Sequence, residues 1–79
     1  MDRLDAMTVF MTVVEAGSFS EASRRLGMPI ATVSRRVAEL EAHLKTLLLK
    51  RPVRKLTLTD SGRSYMAACK RIVEQVDEI

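Results

Sequence analysis

The chain has 79 residues, enough for one small domain with a thin core. Its 47% hydrophobic content comes almost wholly from aliphatic residues, because the aromatics are Phe10, Phe19 and Tyr65 alone. One cysteine, Cys69, excludes an internal disulfide, and no stretch approaches the roughly 20 apolar residues of a membrane span. The net charge of +3 is unevenly spread. From Arg24 to Lys55 nine basic residues face two acidic ones, whereas the flanks carry four basic and eight acidic. A basic middle between acidic ends points to a polyanionic partner docked on the middle, against the plainer reading of a solvated charged surface.

From Arg3 to Ala16, Leu4, Met7, Met11 and Val14 recur at steps of three and four, widened by Phe10 and Val13. This spacing predicts an amphipathic helix ended by Gly17. Ser20 is the expected cap of a short second helix, roughly Glu21 to Leu26, with Phe19 packed beneath it and Arg24 and Arg25 in solvent. Gly27-Met28-Pro29 makes a tight turn. Pro29, favoured at a first helical position, is expected to open a third helix running to about Lys45.

In that third helix Val33, Val37, Leu40 and Leu44 form an apolar face. The opposite side carries Ala31, Ser34, Arg35 and Ala38, flanked by Thr32 and Arg36. Glu39 and Glu41 come later, where they would sit farther from the polyanionic partner. Lone His43, late in the helix, is expected in solvent and not as a ligand. Pro52 then interrupts the helical pattern. Leu47 to Lys50 and Lys55 to Thr59 are expected to pair as a two-stranded ribbon with Arg51 to Arg54 at its tip.

Thr59 or Asp60 caps a last helix. Tyr65, Cys69, Ile72, Val76 and Ile79 recur at alternating steps of four and three, the a/d seam of a helix that pairs with another. The distal turns, Ile72 to Ile79, are expected to need a second chain. The pattern stops without a C-cap, so the chain reads as a piece of a longer protein.

The order helix, short helix, glycine-containing turn, longer helix, ribbon is that of a winged helix-turn-helix. The expected fold is therefore mainly α: a three-helix core plus a two-stranded wing over residues 1–58, followed by a long dimerisation linker helix over 59–79. A helix enters the major groove only if its leading face is small, with one or two long donors to read bases. Ala31, Thr32, Ser34 and Arg35 meet that condition, and Arg35 has the bidentate fork that matches guanine. An enzyme is not supported: there is no paired-carboxylate site, glycine-rich phosphate loop, metal cluster or nucleophile with a base, and Ser34 has no His/Asp arrangement. The alternative is a protein-interaction and dimerisation module that does not bind DNA. It would leave the basic middle dispensable.

Four segments resemble the N-terminal domain of the LysR-type transcriptional regulators: FMTVVEAGSFSEAS beginning at Phe10, RRLG ending at Gly27, TVSRRVAELEAHL from Thr32 to Leu44, and LLLKRPVRKLTLTDSG from Leu47 to Gly62. The resemblance spans essentially the whole chain. It implies that Ile30, Ala31, Ser34 and Arg35 face the major groove and that Arg54 enters the minor groove. It also implies that Ser18, Ser20, Thr32, Arg36, Lys50 and Arg51 meet phosphates. The last helix would form a homodimer on an inverted-repeat operator of double-stranded DNA. A small-molecule effector would act only through a C-terminal domain absent from this chain, with no cofactor, metal or membrane, in a prokaryotic cytoplasm at the nucleoid. Four positions depart from the common pattern. Pro29-Ile30 replaces the usual Ser-Gln, Lys45 the usual Gly, and Leu49 the usual Phe. Ile30 offers apolar contact, such as to a thymine methyl, in place of a glutamine's hydrogen bonds.

Overall fold

The computed structural model describes residues 2–50 and 56–79. Its elements run α1 (Arg3–Ala16), α2 (Phe19–Leu26), α3 (Ile30–Leu44), β1 (Leu49–Lys50), β2 (Thr57–Leu58) and α4 (Asp60–Asp77). α1 is the hub and packs against α2, α3 and α4, while α2 also packs on α3. The strands are antiparallel, with Leu49 opposite Leu58 and Lys50 opposite Thr57. The ribbon is thus shorter at both ends than expected, and its tip, residues 51–55, lies outside the described residues.

Asp2 caps α1 by accepting from the Asp5 N–H, and Gly17, at φ 81°, closes it in a conformation costly for any residue with a Cβ. The buried face of α1 is Ala6, Met7, Val9, Phe10 and Val13. It is rotated from the predicted stripe: Leu4 is exposed, and Met11 and Val14 are only partly covered. Phe10 explains the rotation. As the largest fully buried side chain it takes the centre, touching Tyr65 of α4 with ring centroids 5.7 Å apart. Burial of side chains such as Phe10, Leu40 and Leu48 stabilises the fold by roughly 1.5–3 kcal/mol each.

α2 starts two residues earlier than expected. Ser18, not Ser20, is the cap: its backbone is extended and its hydroxyl accepts from the Glu21 N–H at 3.1 Å. Ser18-Phe19-Ser20-Glu21 carries the S-x-x-E spacing of a capping box, which Ser20 lacks. Glu21 does not reach back to Ser18, however. Its carboxylate takes hydrogen bonds from Arg24 and Arg25. The Arg24 hydrogen bond and charge hold that carboxyl below its ordinary range.

Pro29 is the cap residue of α3 rather than its first helical residue, with ψ 147° and its carbonyl accepting from Thr32 and Val33. Having no N–H and no side-chain acceptor, it sets the entry direction without a cap bond. The turn before it is fastened by Ser23, whose hydroxyl donates to the Met28 carbonyl while its own carbonyl accepts from Met28 N–H. α3 ends at Leu44, and Lys45 follows at φ 57°.

Thr59 caps α4, its hydroxyl accepting from Gly62 N–H at 2.9 Å. Met66 and Cys69 of α4 bury in the same cluster as residues of α1 and α3. Among the described residues, no helix is long and apolar enough to cross a membrane.

Candidate nucleic-acid interface

α3 presents two unlike sides because its apolar residues repeat with the helix. Val33, Val37 and Leu40 are fully buried against α1 and α2. Their burial turns Ala31, Arg35, Ala38 and Ala42 to solvent, with Thr32 and Ser34 half-covered at the margins. Ile30 stands at the leading end and is 49% exposed, unusual for so large an apolar side chain. The expected reading surface Ile30, Ala31, Ser34 and Arg35 is therefore one accessible strip. No acidic residue lies in the first turn of α3, so nothing there opposes an anion.

The two arginines of α3 have different surroundings. Arg35 approaches Glu39 at 3.9 Å, with both side chains more than half exposed. Such an i,i+4 pair is worth about 0.3–0.5 kcal/mol, so little opposes release of Arg35 to another acceptor. Arg36, expected at phosphates, is instead engaged by the Asp5 carboxylate of α1. It ties the third helix to the first across an open polar groove lined by Asp2, Asp5, Ala6, Arg35, Arg36 and Glu39. His43 is exposed as expected, and its Nε2 accepts from Arg3 at 2.8 Å.

The other expected phosphate residues are spread over three elements, with Thr32 on α3 half-covered. Ser18 is partly covered, with its hydroxyl occupied by the cap bond, and Ser20 is exposed in the first turn of α2. Lys50 is exposed on β1. Arg51 and Arg54 lie outside the described residues.

The expected pairing seam is divided. Tyr65 is partly buried against Phe10, and Cys69 is wholly buried. Both serve this chain's own core rather than an open face. Burial pushes the Cys69 thiol up from its ordinary value, against a smaller opposing pull from the Tyr65 hydroxyl beside it. Ile72 and Val76 are exposed at 41% and 49%, and Ile79 lies beyond the last helical residue.

Sequence reasoning missed Glu41. Expected only to lie farther from a polyanionic partner, it is 6% exposed, and its Oε2 accepts from the N–H groups of Leu48 at 2.8 Å and Leu49 at 3.2 Å. A signal was present. Glu41 stands four residues after Val37 and three before Leu44, beside the apolar stripe, and it puts negative charge in the last helical turn, where the dipole disfavours it.

Among known proteins, the family model for bacterial regulatory helix-turn-helix proteins of the lysR family matches residues 4–63. An HTH-type transcriptional repressor of Pseudomonas aeruginosa (strain UCBPP-PA14) is 48% identical over 79 residues, which cover all of this chain and 25% of the relative. The HTH-type transcriptional activator AaeR of Escherichia coli (strain K12) is 42% identical over 79 residues, again all of this chain and 26% of the relative. The crystal structure of the CbnR_DBD–DNA complex is similar with a TM-score of 0.91 and 30% identity, covering 96% of this chain and 87% of that one. The chain thus spans about a quarter of the length of the curated relatives it matches.

Proposed function

We propose that this chain, which belongs to the lysR family of bacterial regulatory helix-turn-helix proteins, binds double-stranded DNA selectively and so places a transcription regulator on its operator. The observation that carries the reading is the accessible strip on α3, where Ile30, Ala31 and Ser34 are small or apolar and Arg35 is weakly held. A small leading face allows close approach to the major groove, and the weakly held guanidinium supplies the bidentate donor that guanine accepts. A solved neighbour of 30% identity and nearly the same extent carries DNA. Its support is for this reading rather than for a module that binds protein alone.

Lys50, with Arg51 and Arg54 of the segment between the strands, would grip the backbone and the minor groove, where narrow A·T tracts attract arginine. Ser20, Ser18 and Thr32 would add phosphate contacts. Arg36 acts at one remove, holding α3 on α1 through Asp5. Residues 1–58 form the reading unit. Residues 59–79 pair two copies through Ile72, Val76 and Ile79, so the operator has two inverted half-sites. A small-molecule effector would act through protein beyond this chain, in keeping with relatives about four times as long. The role is binding without catalysis, in the bacterial cytoplasm.

The test is selection of bound sequences from a random DNA pool with this chain, followed by salt titration on the winning duplex. Two inverted half-sites are expected, with affinity falling by about 10³–10⁵ between 50 and 200 mM salt if six to ten phosphates are neutralised. Arg35→Ala should relax base preference, whereas Lys50→Ala should weaken all sequences alike. No enrichment of any sequence, or binding indifferent to salt, would sink the proposal.

A further inference from the structure

The segment Leu47–Leu49 joins α3 to the wing, and it is gripped from both sides. From α3, the Glu41 carboxylate accepts from the Leu48 and Leu49 N–H groups. From α4, the Thr59 hydroxyl donates to the Leu47 carbonyl at 2.7 Å, and the Thr59 N–H donates to the Leu48 carbonyl at 3.0 Å. Gly62 of α4 passes so near that an added Cβ would stand 2.0 Å from the Leu48 carbonyl oxygen. Both polar atoms of two consecutive peptide groups at the root of the wing, 47–48 and 48–49, are thereby held.

Glu41 is only 6% exposed and stands in the last turn of α3, where the helix dipole disfavours a negative group. A carboxylate is suited to such a site when it must accept two backbone N–H bonds at once, since charge-assisted bonds are about twice as strong as neutral ones. Leu49 is also the residue before Lys50, which is exposed on β1. Holding the Leu48 and Leu49 N–H groups therefore sets where Lys50 emerges relative to α3.

We infer that Glu41 is a positioning residue for DNA binding: it fixes the root of the wing to the recognition helix, so that the phosphate grip of Lys50 and the base reading of α3 share one register. The inference rests on the DNA-binding reading above. It concerns a residue that touches no DNA and acts through the backbone of Leu48 and Leu49.

The test uses Glu41→Gln in the whole chain, because Glu41→Ala would orphan both N–H groups and endanger folding. Gln keeps the volume and a neutral acceptor. Two measurements are made on protein shown by circular dichroism to be folded. The first is amide hydrogen exchange, which needs no DNA. Leu48 and Leu49 N–H groups should exchange on the order of tenfold faster than in the native chain, while the Phe10 and Val37 amides stay within about twofold. The second is a double-mutant cycle on a selected duplex. Lys50→Ala should cost about fivefold in affinity in the native background and less than about twofold in Glu41→Gln, whereas Arg35→Ala should cost the same in both. Unchanged Leu48 and Leu49 exchange, or acceleration shared equally by Phe10 and Val37, would overturn the clamp. Multiplying effects of Glu41→Gln and Lys50→Ala would overturn its role in DNA binding. Failure of the native chain to bind any duplex would strike the DNA-binding reading alone, with the exchange result still deciding the clamp.

Discussion

Met66 and Cys69, up to the middle of α4, are buried, whereas Ile72 and Val76 beyond it are 41% and 49% exposed. One heptad-like repeat runs through both halves. The first half lies against α1, where Tyr65 meets Phe10, and its capping turn is fastened to the wing root by Thr59. The second half extends past those partners. The same apolar spacing thus completes this chain's own core at one end and leaves an exposed apolar strip, the one proposed above to pair two copies, at the other. A periodic pattern reports that a helix face will be covered, but not by which molecule.

Substitutions can break that division. Gly62→Ala should have the largest effect, since its Cβ would collide with the backbone carbonyl of Leu48 rather than with a yielding side chain. A loss of about 3 kcal/mol is expected in urea unfolding, with no native pairing left to measure. Cys69→Ser puts a hydroxyl in the fully buried site and should cost about 1–2 kcal/mol. The native thiol should stay unreactive to thiol reagents until the chain unfolds, since burial also keeps it protonated. Ile72→Asp should leave the unfolding of a dilute monomer nearly unchanged. It should weaken self-association by at least about tenfold, or roughly 1.4 kcal/mol, in sedimentation equilibrium. Equal loss of monomer stability would show that the distal half also serves its own core.

Smaller effects sharpen the picture away from α4. Lys45 holds φ 57°, a left-handed conformation that costs a residue with a Cβ about 1 kcal/mol. Its N–H and that of Thr46 close α3 onto the Ala42 and Glu41 carbonyls. Lys45→Gly should therefore stabilise the chain by roughly 0.5–1 kcal/mol in the same urea assay, without altering base preference. The smallest effect concerns acid. Glu21 has its carboxyl held below the ordinary range by Arg24, so its share of stability is present above that range and fades as pH falls through the lowered value. The melting temperature of the native chain should drop slightly more than that of Glu21→Gln between about pH 5 and pH 3. Parallel curves would remove the Glu21 cluster as a contributor.

Much of this architecture was legible before any coordinates. Gly17 and Gly27 mark the ends of α1 and α2, and the Val33, Val37 and Leu40 spacing determines which side of α3 remains accessible. These are local matters of φ preference and 3.6-residue periodicity, written into neighbouring residues. The pairings that join distant positions were not legible. Arg36 finds Asp5 31 residues away, and Glu41 receives the Leu48 and Leu49 N–H groups, a role its spacing alone did not assign. The cap of α2 moved from Ser20 to Ser18 because the turn at Gly17 leaves Ser18 in the extended conformation that a cap needs. Sequence alone determined the helices, their order and the open strip of α3, since each follows from residues close in the chain. Only the tertiary structure decided which charges are spent inside the fold and how far α4 belongs to its own core, because burial depends on what the folded chain brings alongside.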